Sequence, residues 1–229
     1  MTSIAEKKSL SQADGSRVEC SVDGKSSSGD RSRSDQDAAL EAEWLAALRQ
    51  ASPQAFEAVY AHYRVRIYSF LLRLCGRRDL ADDLLQDTFV QLARHATRLP
   101  ADVRLSPWLF TVARNRYLSQ RRTTLFRLDQ LRAWFVGARA DSDELSVSPQ
   151  SVVAQRQSVA RLERAIQALS PSLREVVLLV CVEELEQDQA AAILGIQPAA
   201  LRKRLERGRA QLQALLEQQE RGTDHGSVD

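Results

Sequence analysis

Cysteine is scarce in this chain, and what there is does not cluster. Cys20, Cys75 and Cys181 fall in three separate segments, and no C-x-x-C pair occurs. An odd, scattered set argues against a disulfide framework and a zinc site and points to a reducing compartment. Histidine is equally sparse: His62, His95 and His225 stand alone. With no carboxylate cluster at metal-ligand spacing and no glycine-rich loop to cradle phosphate, no metal, cofactor or catalytic centre is expected. Long apolar runs are missing as well. The longest, Val176 to Val182, falls far short of the roughly 20 residues that span a bilayer. Met1 to Lys8 lead into no apolar stretch of signal-peptide type. A cytoplasmic protein is the expectation. Nor is there a large net charge: 32 Lys and Arg against 30 Asp and Glu leave +2. A surface for a polyanion must therefore come from local segregation of charge.

What is present is helical periodicity. The 229 residues are 44% hydrophobic, enough for a core in one large domain or two small ones. Residues 1–37, rich in Ser, Gly, Asp, Lys and Arg, cannot bury enough apolar area to offset ordering; a disordered tail and a misassigned start both fit. From Ala38, Leu40, Trp44, Leu45 and Leu48 recur at helical steps. Ser52-Pro53 caps a second helix carrying Phe56, Val59, Tyr60, Tyr63, Ile67, Phe70, Leu71 and Leu74, which Gly76 closes. Asp79 opens a third, striped by Leu80, Leu84, Leu85, Phe89 and Leu92. After a break at Leu99-Pro100, Ser106-Pro107 is read as the cap of a fourth, through Trp108, Leu109, Val112 and Leu118. These make one helical domain, 38–124.

Residues 125–158 read as a linker, with the apolar cluster Leu131, Trp134, Phe135 and Val136 inside it. That cluster fits either a short packing helix or a docking surface for a regulator. A second domain, 159–219, begins with Leu162, Ile166 and Leu169, breaks at Ser170-Pro171, and ends in two short helices split by Gly195 to Pro198; residues 220–229 form a tail. No alternating strand pattern occurs. The expected class is all-α: two small helical domains joined by a flexible linker.

Three surfaces stand out. In the C-terminal domain Ala191, Gly195 and Leu201 have the spacing of a helix-turn-helix, the small Ala allowing close approach and the Gly supplying a positive φ. Leu201 and Leu205 share one face of its second helix, while Arg202, Lys203 and Arg207, with Arg204 near the edge, occupy the other. That pattern suits a major-groove reader, though an ordinary hairpin with a solvated basic face has the same composition. In the N-terminal domain Asp79, Asp82, Asp83, Gln86 and Asp87 form an acidic strip longer than the helix dipole favours. It fits a basic protein partner or a solvated face. Further on, Arg114, Asn115, Arg116, Arg121 and Arg122 are interleaved with Trp108, Phe110 and Tyr117. Cations beside aromatic surfaces are the chemistry of single-stranded or melted DNA.

Phe56 to Tyr60, Asp82 to Phe89 and Pro107 to Asn115 together resemble region 2 of the bacterial sigma-70 family, and more narrowly its extracytoplasmic-function (ECF) group. Ala168 to Pro171, Arg174 to Leu179, Ala191 to Ile196 and Arg202 to Leu205 resemble region 4. The resemblance covers about 52–122 and 160–217 in the family's order. It implies a DNA-binding subunit that joins core RNA polymerase, directs it to promoters through −35 and −10 elements and promotes melting. The implied polymerase contacts are Asp82, Asp83, Leu84, Gln86, Asp87 and Phe89, on the clamp of the largest subunit, with the flap of the other large subunit as a second contact. Loop 99–106 and the helix beyond it resemble the elements that hold the melted −10 strand, with Trp108, Arg114, Asn115, Arg121 and Arg122 as its residues. The helix at 198–209 resembles the −35 reader, with Gln197, Ala200, Arg202, Lys203, Arg204 and Arg207. An anti-sigma factor is an admissible further partner. The chain departs from the family where Glu184 and Glu186 replace its usual Gly and Ser, leaving the first helix of the helix-turn-helix without its usual cap. Gln197, Ala199 and Ala200 likewise stand where Ser, Gly and Thr are common. A stand-alone dimeric helix-turn-helix regulator is the alternative; it leaves the acidic strip and residues 107–122 unexplained.

Overall fold

The computed structural model describes residues 28–132 and 153–224, with side chains over 38–123 and 158–219. Eight α-helices make up the described chain, and no strand occurs among the described residues. Helices α1 (Ser28–Arg49), α2 (Pro53–Cys75), α3 (Arg78–His95) and α4 (Leu105–Arg132) form the N-terminal bundle, with a single 3-10 turn at Ala96–Arg98. Helices α5 (Val153–Ala168), α6 (Pro171–Val177), α7 (Gln187–Leu194) and α8 (Pro198–Asp224) form the C-terminal one, with a π-helical turn at Leu178–Val182 between α6 and α7. The Trp134–Val136 part of the apolar cluster and most of the expected tail and linker lie outside the described residues.

Local signals account for most boundaries. The Ser52 side chain accepts from the Ala55 amide at 3.3 Å, and Pro53 takes the first helical position of α2. Gly76, at φ 71°, returns its N–H to the Leu72 carbonyl. Other boundaries differ from the sequence expectation, among them the start of α5 at Val153 inside the expected linker and the end of α8 at Asp224 inside the expected tail. Helix α1 begins at Ser28, well inside the expected tail, because adding turns to a helix already anchored at Leu45 and Leu48 needs no new nucleus. Helix α4 runs on to Arg132, since no Gly or Pro interrupts it after Pro107. Ser106 is not a cap: α4 starts one residue earlier, and its first amide is taken by a side chain from α1. The second helix of the C-terminal motif is long, not short.

In the N-terminal bundle Val59, Tyr63, Ile67, Phe70, Leu71, Leu92, Leu105, Leu109 and Phe110 are buried. Phe70 meets Phe110 edge-on at 5.2 Å, joining α2 to α4. Leu40 and Leu162, both expected to face inward, are 39% exposed; on α1 it is Glu41, at 8%, that turns in. In the C-terminal bundle α8 crosses α6 at Gly208, where an added Cβ would come within 2.8 Å of Val177.

The two bundles pack together. Helix α7 lies against α4, while α5 and α6 lie against α2. The apolar core is continuous across the seam. Ionic contacts follow one polarity, with arginines on the N-terminal side and glutamates on the C-terminal side. Arg73 pairs with Glu163 at 2.6 Å, Arg66 with Glu183 at 3.2 Å and Arg114 with Glu175 at 2.8 Å. Arg174 reaches the other way, donating to the Leu74 carbonyl at the end of α2 and to the Ile166, Gln167 and Leu169 carbonyls at the end of α5. A cation among helix C-terminal carbonyls meets their unpaired acceptors and the negative end of the dipole.

Candidate functional site

The acidic strip lies on the outer face of α3. Ala81, Leu84, Thr88, Phe89 and Leu92 point into the bundle, which leaves Asp79, Asp82, Asp83, Gln86 and Asp87 in solvent. Asp79 is tied to Arg77, whose guanidinium holds its carboxyl below the usual range; among the described residues Asp82, Asp83 and Asp87 make no ion pair. Two residues expected at a partner surface are corrected here. Leu84 and Phe89 are 3% and 4% exposed, so neither can be touched from outside. Phe89 instead packs edge-on against Phe56 and Tyr60 and supports the strip from beneath. Val90, 37% exposed, continues the outer face at the next turn beyond Gln86 and Asp87.

The basic and aromatic residues of α4 divide into two stripes. Trp108, Val112, Asn115, Ser119 and Arg122 follow one another at steps of four and three, and they line one wall of an open groove of about 530 Å³. The other wall comes from Gln91 and His95 at the end of α3 and from Arg98 and Leu99 around the 3-10 turn. Arg116 also lines it. Of the expected strand-binding residues, this groove unites Trp108, Asn115 and Arg122. It leaves out Arg114 and Arg121, which share a different stripe with Phe110 and Tyr117. Arg114 is turned to the seam, where it donates to Glu175 at 2.8 Å and to the Ile193 carbonyl at 3.3 Å. Tyr117 is half-buried, and burial raises its phenol above the ordinary value against the opposing pull of Arg121 and Arg174. The reason for the split is register: in a helix of 3.6 residues per turn, positions 114 and 121 stand far round from 115 and 122's groove line. Arg98 and His95 come from another element, and only the packing of α3 on α4 brings them in.

The helix-turn-helix forms as its spacing requires. Gly195 adopts φ 65° and closes α7, with its N–H on the Ala191 and Ala192 carbonyls. Ala191, Leu201 and Leu205 are buried. Gln197, Arg202, Lys203 and Arg207 are exposed at the start and along the outer face of α8, while Ala200 and Arg204 are half-buried. No described residue covers Arg202, Lys203 or Arg207. Glu186 occupies the N-cap of α7 and makes no side-chain capping bond. Glu184 sits at φ 55°, the left-handed conformation a glycine takes without strain.

Three surfaces, one acidic, one an aromatic and cationic groove, one a cationic helix-turn-helix, thus sit on two small helical bundles. The family model of Sigma-70 region 2 matches residues 59–125, and that of Sigma-70 region 4 matches residues 160–212. RNA polymerase sigma factor CarQ of Myxococcus xanthus is 32% identical over 172 residues, which cover 73% of this chain and 92% of CarQ. The chain belongs to the sigma-70 family of RNA polymerase sigma factors. ECF RNA polymerase sigma factor SigM of Bacillus subtilis is similar as well, 29% identical over 161 residues that cover 69% of this chain and 92% of SigM. Among solved structures, the sigma factor RpoE of Bartonella quintana, in complex with the anti-sigma factor NepR, aligns with TM-score 0.57 at 25% identity, over 71% of this chain and 96% of RpoE. CnrH in complex with the cytosolic domain of CnrY shares the fold, with TM-score 0.58 at 24% identity over 78% and 97% of the two chains. As a sigma factor the protein binds core RNA polymerase, directs it to promoters and serves transcription initiation; the stand-alone regulator is not favoured. Sigma factors are non-catalytic initiation factors. No described helix is long and apolar enough to cross a membrane.

Proposed function

We propose that the three solvent-facing surfaces divide the steps of initiation. The outer face of α3, with Asp82, Asp83, Gln86 and Asp87, docks on the polymerase clamp. The groove between α3 and α4 holds the melted −10 strand: Trp108 offers a stacking surface, and Asn115, Arg98, Arg116 and Arg122 offer hydrogen bonds and phosphate neutralisation. The outer face of α8 reads the −35 element, with Arg202, Lys203 and Arg207 toward DNA. The protein works in the cytoplasm, catalyses no reaction of its own, and has an anti-sigma factor among its partners. The observation that carries this reading is the groove stripe, which brings aromatic, amide and cationic groups to one open surface.

The packed arrangement and promoter binding exclude each other in this reading. Elements at −35 and −10 lie about 25 base pairs apart, or about 85 Å along duplex DNA. A packed chain of this length is only about 45 Å across. The seam between the bundles therefore opens when both elements are engaged, and Arg114 becomes free only then.

Permanganate footprinting of thymines at the −10 element tests the groove. Asn115→Ala with Arg122→Ala should lower open complex by about 10- to 100-fold, as loss of about 1–3 kcal/mol of strand contacts requires. Closed complex should persist, and a premelted bubble template should recover much of the activity. Equal failure on duplex and bubble templates, with closed complex also lost, would remove melting from this groove.

A further inference from the structure

Glu41 is a buried carboxylate that neither the three surfaces nor the seam between the bundles uses. It lies on α1, before the span matched by the region 2 model, and is 8% exposed. Its Oε1 accepts from the Tyr63 hydroxyl of α2. Its Oε2 accepts from the backbone N–H of Leu105, the first residue of α4, at 3.1 Å, with the Arg104 guanidinium 3.8 Å away. The first amides of a helix have no partner within it, and an acidic group there also faces the positive end of the dipole. Helix α4 has Pro107 in its first turn and no Ser, Thr, Asp or Asn immediately before Leu105 to serve as a cap. The cap is supplied from 64 residues away.

The same helix holds the opposite wall. Helix α1 packs against the 3-10 turn Ala96–Arg98, which contributes Arg98 to the groove. The groove face of α4 begins at Trp108, one turn beyond the amide that Glu41 binds. One helix therefore sets both walls, by packing on one side and by a charged cap on the other.

We infer that Glu41 is a positioning residue for promoter melting: by capping α4 from α1, it fixes the register of the strand-binding groove. This rests on the groove reading above. The step it serves is melting alone, because the α3 strip and the α8 face do not touch Glu41.

The test compares Glu41→Ala, Glu41→Gln and Tyr63→Phe in the full chain with core polymerase. Glu41→Ala should co-purify with polymerase as the parent does, yet lose about tenfold in open complex on duplex promoter, the loss expected of a missing charged cap. A bubble template should restore it. Glu41→Gln should rescue to within about twofold, since its carbonyl still accepts from Leu105 and its amide can donate to the Tyr63 oxygen. Tyr63→Phe removes the other donor, keeps the cap and should melt DNA as the parent does, whatever its loss in thermal stability. Should Glu41→Ala not fold, Glu41→Asp, one methylene short of spanning both donors, carries the same comparison. Normal open complex in Glu41→Ala, or a melting defect in Tyr63→Phe as large as in Glu41→Ala, would overturn the inference. If Asn115→Ala with Arg122→Ala melts normally, the groove reading falls instead; if that pair fails while Glu41→Ala melts normally, only the cap's role falls.

Discussion

Two stripes of one helix carry nearly the same chemistry to different ends. On α4, Trp108, Asn115 and Arg122 line an open groove, whereas Phe110, Arg114, Tyr117 and Arg121 belong to the line that turns toward the C-terminal bundle. Each stripe has aromatic and cationic residues. What separates them is rotation about the helix axis, which sends Arg114 into an ion pair 16% and 9% exposed and leaves Arg122 in solvent. A cation beside an aromatic is thus no sufficient mark of a nucleic-acid contact; the face it shares decides what it meets.

The largest effect expected from this contrast is at Arg114. Arg114→Ala leaves Glu175 as a buried carboxylate without its partner, at a cost of about 3–5 kcal/mol to the packed arrangement. Chemical denaturation of the free protein should show it, and Glu175→Gln in the same chain should recover much of the loss. Arg122→Ala, by contrast, should change stability by no more than about 0.5 kcal/mol, as an exposed position. Equal stability losses at the two arginines would erase the distinction between seam and groove.

Glu183 sharpens the comparison from the other side of the seam. It is 5% exposed, and burial pushes its carboxyl above the ordinary value even though Arg66 pulls it down. Its protonated form is therefore favoured on folding. The stability linked to it is complete below the ordinary Glu range and is lost as pH rises through the raised folded value. Glu183→Gln should hold or raise stability at neutral pH, by up to about 1 kcal/mol, and flatten its pH dependence between the ordinary Glu range and neutrality. A loss as large as that at Arg114, measured in the same denaturation series, would contradict this. The neighbouring Glu184 should give a small effect. At φ 55°, Glu184→Gly relieves a left-handed side chain and should stabilise by about 1 kcal/mol or less, read as a rise in Tm.

Much of this was legible before the structure, for identifiable reasons. Helix starts marked by Ser52-Pro53 and stops marked by Gly76 and Gly195 follow from backbone chemistry that neighbours do not override. The exposed carboxylates of α3 were readable because a strong apolar stripe fixes the opposite face. The burial of Leu84 and Phe89 is hidden in the sequence because the family motif runs continuously along the chain, whereas a helix alternates inside and outside within it. The engagement of Arg114 at the seam is not legible in the sequence, because nothing local distinguishes a cation facing solvent from one facing a second domain. Glu41 was missed since its partners, Tyr63 and Leu105, lie far along the chain, and the apolar spacing pointed to Leu40 instead. Arg98 and His95 join the groove only through the packing of α3 on α4.

In the proposed cycle, the packed seam and simultaneous engagement of both promoter elements exclude each other. Distance between dyes placed through unnatural residues at the exposed positions Ala93 on α3 and Gln211 on α8 measures this directly, by single-pair energy transfer. In the free protein the account requires one short-distance population, within the roughly 45 Å of a packed chain. With core polymerase on a promoter, that population should give way to a longer distance, and Arg114→Ala should shift the free protein partway toward it. A short distance that persists unchanged in the complex on promoter DNA would contradict the account.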